Sequence, residues 1–215
     1  MSAAPLVVPS RQVVFIETLN FYMRELTSDD ATDRMASWFD QAEVRESLNV
    51  KPGRRTKVDM DAFIARFDGK NKILLGMFDK RNDLLVGFID IDIDWKIGRY
   101  LVNMIVGEET YRNSGVTSAI SPAFRTYFFG TLGLKVMTAT ALASNAAIAG
   151  YLKGTGWTLS QVLKGRIRSH ADGTRVDLHL YSLTREAWDA WTAANPEKLR
   201  RMADNEKSTE RLPKI

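Results

Sequence analysis

The sequence predicts an α+β fold: a mixed, mostly antiparallel sheet of about seven strands flanked by four to five helices. Three observations carry that prediction. Ile89, Ile91 and Ile93 alternate with Asp90, Asp92 and Asp94, the period of a strand with one buried face. Val116, Ala119, Ile120, Ala123, Phe124, Tyr127 and Phe128 recur instead with the period of a helix. No Pro/Gly/Ser-rich linker divides the 215 residues, so a single core is expected.

The elements follow in order. Residues 13–26 have strand character, and Thr27 and Asp30 stand in capping-box spacing before Ala31, Met35, Trp38 and Phe39 on one helical face. Met60, Phe63, Ile64 and Phe67 mark a second short helix beyond the basic loop KPGRRTK. KILLGMF and LLVGFIDIDID read as a hairpin, and WKIGR turns the chain into a strand at 100–107. The long helix after residue 115 contains Pro122, which removes one backbone donor and predicts a kink. A strand at 135–143, a short helix from Asn145 and a hairpin of 157–168 with 175–183 around ADGT follow. Thr184 is placed to cap a last helix carrying Trp188 and Trp191. The expected boundaries are an extension at 1–12, a domain at 13–194 and a charged tail at 195–215.

Composition narrows the chemistry. The chain has no cysteine and two histidines, His170 and His179, so disulfides, thiolate metal sites and a catalytic thiol are excluded, and no metal is expected. No signal-peptide pattern and no membrane-length apolar run is seen, so a cytoplasmic protein without a membrane partner is expected. Residues 51–57 carry +4 and residues 196–215 carry +2, which leaves −2 of the net +4 on the rest of the chain. A nucleic-acid binder would carry its basic stripe on the folded face, so that partner is disfavoured.

The segment VNMIVGEETYRNSGVTSAISPAF leaves an apolar strand and enters a helix through a polar turn holding one glycine. Successive N–H groups at such a helix start form a phosphate-binding cradle, and glycine lets the ligand come close to the backbone. Neither G-x-x-x-x-G-K-[ST] nor G-x-G-x-x-G is present, which leaves Arg112-x-x-Gly115-x-Thr117 as the phosphate-loop candidate, or an ordinary helix start.

These residues, in this order, resemble the GNAT superfamily of N-acetyltransferases, nearest its RimJ/RimL-like branch, which acetylates protein N-termini and small amines. Arg112, Gly115 and Thr117 occupy the positions of [RQ]-x-x-G-x-[GA], with Thr117 a departure. IETLNFYMRELTSDDA, VGFIDID, SNAAIAGYLKGTGW and GRIRSHADGTRVDLHLYSLTREAW resemble further segments of that branch, over roughly residues 15–191. The resemblance implies a GNAT fold with acetyl-CoA as co-substrate. Its diphosphate would lie on Arg112, Asn113, Ser114, Gly115, Val116 and Thr117, and its pantetheine arm between the strands at 101–107 and 135–143. By position, the Ile105 N–H would meet the thioester carbonyl, Gly107 would pair with the pantetheine amide, Val106 would bind the co-substrate beside them, and Asn145 would contact the arm or cap its helix.

The catalytic side chains depart from the family. Leu101 stands where a glutamate base is frequent, Leu152 where many members have a tyrosine acid, and Ile148 where the branch commonly has serine. Substitutes are Asn103, which shares a strand face with Leu101 and would orient a water, and Asp90, Asp92 and Asp94, which would otherwise form a solvated strand face. Ser144 and Tyr151 are the candidate acids, with packing or capping as the alternative. A lysine amine lies about 4.6 kcal/mol from its neutral form at pH 7, whereas an α-amino group lies about 1 kcal/mol away. A site without a strong base therefore favours a low-pKa acceptor, an α-amine or an amino sugar.

The expected activity is acetyl transfer to a primary amine by direct attack in a ternary complex, in a monomer or homodimer. The alternative is an acyl-CoA-binding module with little or no catalysis. The 51–57 loop is either a solvated loop or an attractor for an acidic acceptor.

Overall fold

The computed structural model describes residues 13–204; the predicted extension (1–12) and the end of the predicted tail (205–215) lie outside the described residues. Eight strands form one sheet: β1 (Phe15–Glu17), β2 (Phe21–Glu25), β3 (Lys72–Asp79), β4 (Leu84–Asp94), β5 (Arg99–Val106), β6 (Val136–Leu142), β7 (Thr158–Arg168) and β8 (Arg175–Thr184). Their spatial order is β1-β2-β3-β4-β5-β6-β8-β7, antiparallel everywhere except β5–β6. The strand beyond the expected seven comes from residues 13–26, which fold back on themselves. The Thr18 N–H and hydroxyl both donate to the Phe21 carbonyl, at 2.8 and 3.0 Å, and close a tight turn between β1 and β2.

Seven α-helices are described, against the four to five expected: α1 (Asp33–Ser37), α2 (Ala42–Leu48), α3 (Lys57–Ile64), α4 (Val116–Arg125), α5 (Ala146–Gly154), α6 (Arg185–Ala194) and α7 (Pro196–Asp204). The single helix expected around Met35 divides because a 3₁₀ turn, Trp38–Asp40, separates α1 from α2. The Thr27/Asp30 capping box is present but caps a 3₁₀ turn, while Thr32 caps α1 by accepting from the Met35 N–H. Thr56 caps α3 and Thr184 caps α6, each through its side chain. Helix α4 runs through Pro122 and widens into a π-helical turn at Thr126–Thr131. The first part of the predicted tail is α7, which buries Met202 and donates the Lys198 ammonium to the Gly154 carbonyl at 2.7 Å.

The alternation of β4 divides the hydrophobic side chains into two layers. Ile89, Ile91 and Ile93 pack with Tyr100, Val102 and α4; Phe88 and Ile105 pack on the other face with Trp38, Met60 and Ile64. The face over α1–α3 therefore also carries Leu101 and Asn103 of β5 and the aspartates of β4.

Candidate active site

The sheet opens where its one parallel pair ends. β5 and β6 are in register from Arg99↔Val136 to Val102↔Ala139 and no further. Beyond that point β5 stays on β4 as far as Val106, and β6 stays on β8 as far as Leu142. Both strands continue while their mutual pairing stops, so a gap widens between them. This is the gap expected from the sequence.

The backbone groups lining the gap differ from those expected. The Gly107 N–H donates to the Val86 carbonyl at 2.9 Å, and the β4–β5 register runs unbroken from Arg99 to Val106. Hydrogen-bonded pairs alternate in an antiparallel ladder, so Ile105 and Asn103 also turn their amides toward β4. The carbonyls of Gly98 and Tyr100 point the other way: Lys135 N–H donates to Gly98 at 2.7 Å and the Thr138 hydroxyl to Tyr100 at 3.1 Å. The amides of Met104 and Val106 follow that parity and face the gap. Ile105 and Gly107 are thus corrected as donors into the gap, since the amides that face it are those of Met104 and Val106. Gly107 has a steric role, because a Cβ there would lie 2.0 Å from the Trp38 ring.

At the end of β5 the chain enters α4 through the predicted loop. Asn113 has φ 59° and Gly115 φ 92°, so this turn needs the left-handed region twice. The first helical bond runs from Ala119 N–H to Gly115 O at 2.9 Å, so the amides of Val116, Thr117 and Ser118 precede the ladder and point out of the helix end. No acidic residue occupies the first turn. This arrangement suits an anionic diphosphate.

Three loop side chains are committed elsewhere. Ser114 is buried, with its hydroxyl donating to Tyr111 O at 2.6 Å and its N–H to the same carbonyl at 3.3 Å. Val116 packs in the core. The Arg112 guanidinium turns back to the carbonyls of Val106 and Gly107, at 3.2 and 3.0 Å, and pairs with Glu43 of α2 at 2.9 Å. Arg112 therefore holds the loop to the strand end and to α2.

On the α1–α3 face, Asp90 stands opposite Asn103, the first residue of β5 beyond the paired segment. Burial, the largest influence, pushes the Asp90 carboxyl up; a hydrogen bond from Asn103 and the charge of Lys72 oppose it only in part. Asp92 lies opposite Leu101, is exposed, and pairs with Lys72 at 3.5 Å. Asp90 is therefore the better-placed carboxylate, a distinction that requires the strand register. Ser144 is exposed beyond the end of β6. Asn145 caps α5 by accepting from the Ile148 N–H at 3.1 Å. Tyr151 packs against the α4-side core with its hydroxyl enclosed and unpartnered, within electrostatic range of the buried Arg125. That environment does not fit a proton donor to solvent-borne substrate.

A pocket of about 400 Å³ adjoins the ends of β6 and α2, bounded by Arg45, Glu46, Ser144 and the β7–β8 turn at His170. Asn49, at the left-handed end of α2, closes one side. Its amide donates to Arg168 O and accepts from His170 N–H, both at 2.9 Å. Neither this pocket nor the wall made by Trp38 is announced by a motif. Trp38 donates its indole N–H to Glu108 at 2.7 Å, and Arg34 pairs with the same carboxylate at 2.9 Å.

Comparison with known proteins agrees with this geometry. The acetyltransferase (GNAT) domain family matches residues 20–158. No curated protein matches. Among solved structures, a GCN5-related N-acetyltransferase from Brucella melitensis is similar, with a TM-score of 0.72 and 15% identity over 90% of this chain and 87% of that one. Ribosomal-protein-S5-alanine acetyltransferase from Vibrio fischeri gives 0.68 and 16%, over 81% and 98% of the two chains. Mycobacterium smegmatis RimJ in complex with CoA-disulfide gives 0.69 and 16%, over 85% and 95%. With a family match across most of its length and the same fold in these neighbours, the chain belongs to the GNAT acetyltransferase family.

Proposed function

We propose that this protein is an acetyl-CoA-dependent N-acetyltransferase whose acceptor is a low-pKa primary amine, an α-amino group or an amino sugar, attacking directly within a ternary complex. One observation carries the reading: the sheet opens past Val102 and Ala139 beside an α4 N-terminus with outward-facing amides and no acidic side chain. The residues present fit the co-substrate. The amides of residues 116–118 over Gly115 would hold its diphosphate, and those of Met104 and Val106 are the donors available along its arm. When bound, the co-substrate supplies an acetyl group activated as a thioester.

The chain's own contributions are modest and specific. A backbone amide aimed at developing negative charge typically contributes about 10²–10³ in rate. Asp90, raised by burial and held by Asn103, is the candidate base that takes the amine proton, directly or through water. A carboxylate of this kind suffices for an amine that is already partly neutral at pH 7 and falls short for lysine. The absence of cysteine favours direct attack over a thioester on the enzyme.

Thiol release from acetyl-CoA across an amine panel tests the proposal. The expected result is faster turnover with a free α-amine or amino sugar than with a lysine mimic at pH 7. A strong lysine preference, or coenzyme binding without turnover on any amine, would overturn it.

A further inference from the structure

The turn that leads into α4 is tied to a buried carboxylate on a distant strand. Asp79, the last residue of β3, is fully buried. It accepts a hydrogen bond from the Tyr111 hydroxyl at 2.8 Å, across 32 residues of sequence. The same carboxylate oxygen takes the Arg81 guanidinium at 2.6 Å, and the other takes the Arg81 backbone N–H at 2.9 Å. Burial pushes the Asp79 carboxyl up, but the bonds from Arg81 and Tyr111 outweigh it and hold the group below its ordinary value. Tyr111 therefore donates to an ionised carboxylate inside the fold.

The other end of Tyr111 shapes the loop. Its carbonyl accepts from the Ser114 hydroxyl at 2.6 Å and from the Ser114 N–H at 3.3 Å. These two bonds close the turn in which Asn113 takes φ 59° and Gly115 φ 92°. The amides of residues 116–118 follow directly. The Tyr111 ring is 2% exposed and packs in the same core as Val116, Ala119 and Ile120 of α4. Packing alone does not call for the hydroxyl, since burying one is costly unless it is bonded and phenylalanine would fill the same space. The bond to an ionised acceptor is short, directional and stronger than one between neutral groups.

We propose that Tyr111 and Asp79 are positioning residues for the coenzyme: their buried hydrogen bond sets the loop so that the amides of residues 116–118 aim at the diphosphate. This rests on the reading that those amides hold the diphosphate, and adds what aligns them. Hydrogen bonds weaken steeply as their angle departs from linear, so a small tilt of the loop reduces several contacts at once. Arg112 braces the same loop from its other side, through Val106 O, Gly107 O and Glu43. Cutting the Tyr111 bond therefore leaves the loop attached but misaligned, and the effect falls on the diphosphate end of the ligand.

The test compares wild type, Tyr111→Phe and Asp79→Asn with two acetyl donors, acetyl-CoA and S-acetylpantetheine, which has the thioester and arm but no diphosphate. With Tyr111→Phe, the KM for acetyl-CoA and the calorimetric Kd for coenzyme A should rise about fivefold or more, the worth of one hydrogen bond. The kcat, the acceptor KM and the kcat/KM for S-acetylpantetheine should stay at their wild-type values. Asp79→Asn keeps a carbonyl oxygen for the Tyr111 hydroxyl and should restore most of the affinity that Tyr111→Phe loses. A purely structural role predicts a lower thermal midpoint with unchanged coenzyme Kd, and that result would overturn the proposal. So would equal losses with both donors, or a rise in the acceptor KM matching that for acetyl-CoA. Wild-type protein that binds no coenzyme A would instead remove the reading beneath it.

Discussion

At the N-terminus of α4 the groups offered to a ligand are main-chain amides over a glycine with φ 92°; across the gap, the pocket between α2 and the β7–β8 turn is walled by side chains such as Arg45, Glu46, Ser144 and His170. In the first region the side chains of Ser114, Val116 and Arg112 hold the turn in place and the main chain faces outward. The second depends on which side chains are present and on how far their charges reach. A coenzyme common to a family can be held by backbone, whereas a particular acceptor needs side chains. Helix α2 joins the two regions: Glu43 near its start pairs with Arg112 of the loop before α4, and Asn49 at its end holds the β7–β8 turn.

The largest effect that would disturb this division comes from Trp38→Ala. The indole is 1% exposed and packs over Gly107, so its loss should cost about 3–5 kcal/mol of stability, read by denaturant unfolding. The damage should spread to both sides, since Trp38 holds the end of β5 through Glu108.

Asp90→Asn sharpens the comparison, because it should touch chemistry alone. Turnover should fall about 10²–10³-fold with coenzyme affinity unchanged. The sign of the pH dependence follows from burial, which raises the Asp90 carboxyl. Activity needs the ionised form, so it should decline as pH falls through a value above the ordinary carboxylate range. That acid limb should be absent from the residual activity of the variant.

Asn49→Ala should act only on the acceptor half. It removes two hydrogen bonds worth about 1 kcal/mol each, so the acceptor KM should rise about fivefold or more while coenzyme affinity stays constant. Equal losses for both ligands would break the division.

The smallest effect lies outside both regions. Burial alone would raise Asp68, but hydrogen bonds from the backbone of Lys72, Lys70 and Asn71 and from the Asn71 side chain outweigh it and lower its pKa to about 2. A depressed carboxylate stabilises the fold above its unfolded value and loses that contribution as pH falls through the folded one. Asp68→Ala should therefore flatten the loss of thermal stability between about pH 4 and pH 2 and leave both affinities at pH 7 unchanged.

The sequence made side-chain direction legible and left pairing obscure. The Ile/Asp alternation in β4, the Thr27/Asp30 capping box, the cap at Thr184 and the glycine turn at 115 are local features, set by residues within one turn or strand, and each stands in the fold. Which amides of β5 face the gap is not local: it depends on the ladder with β4, where the Gly107–Val86 bond fixes the parity. The choice between Asp90 and Asp92 depends on the same register. The contact between Asn49 and His170 spans 121 residues and leaves no periodic trace. The fold and the glycine turn before α4 were thus readable from patterns, while the pocket beside Ser144 emerges only when distant segments meet.

Calorimetric titration of acetyl-CoA into the wild-type protein and into Gly115→Glu tests the central claim most directly. A side chain at φ 92° costs about 1–2 kcal/mol, and its carboxylate would oppose the diphosphate. The account predicts one site in the wild type and a loss of about a hundredfold or more in affinity in the variant. Wild-type protein that takes up no acetyl-CoA, or a variant that binds it as tightly, would contradict the account.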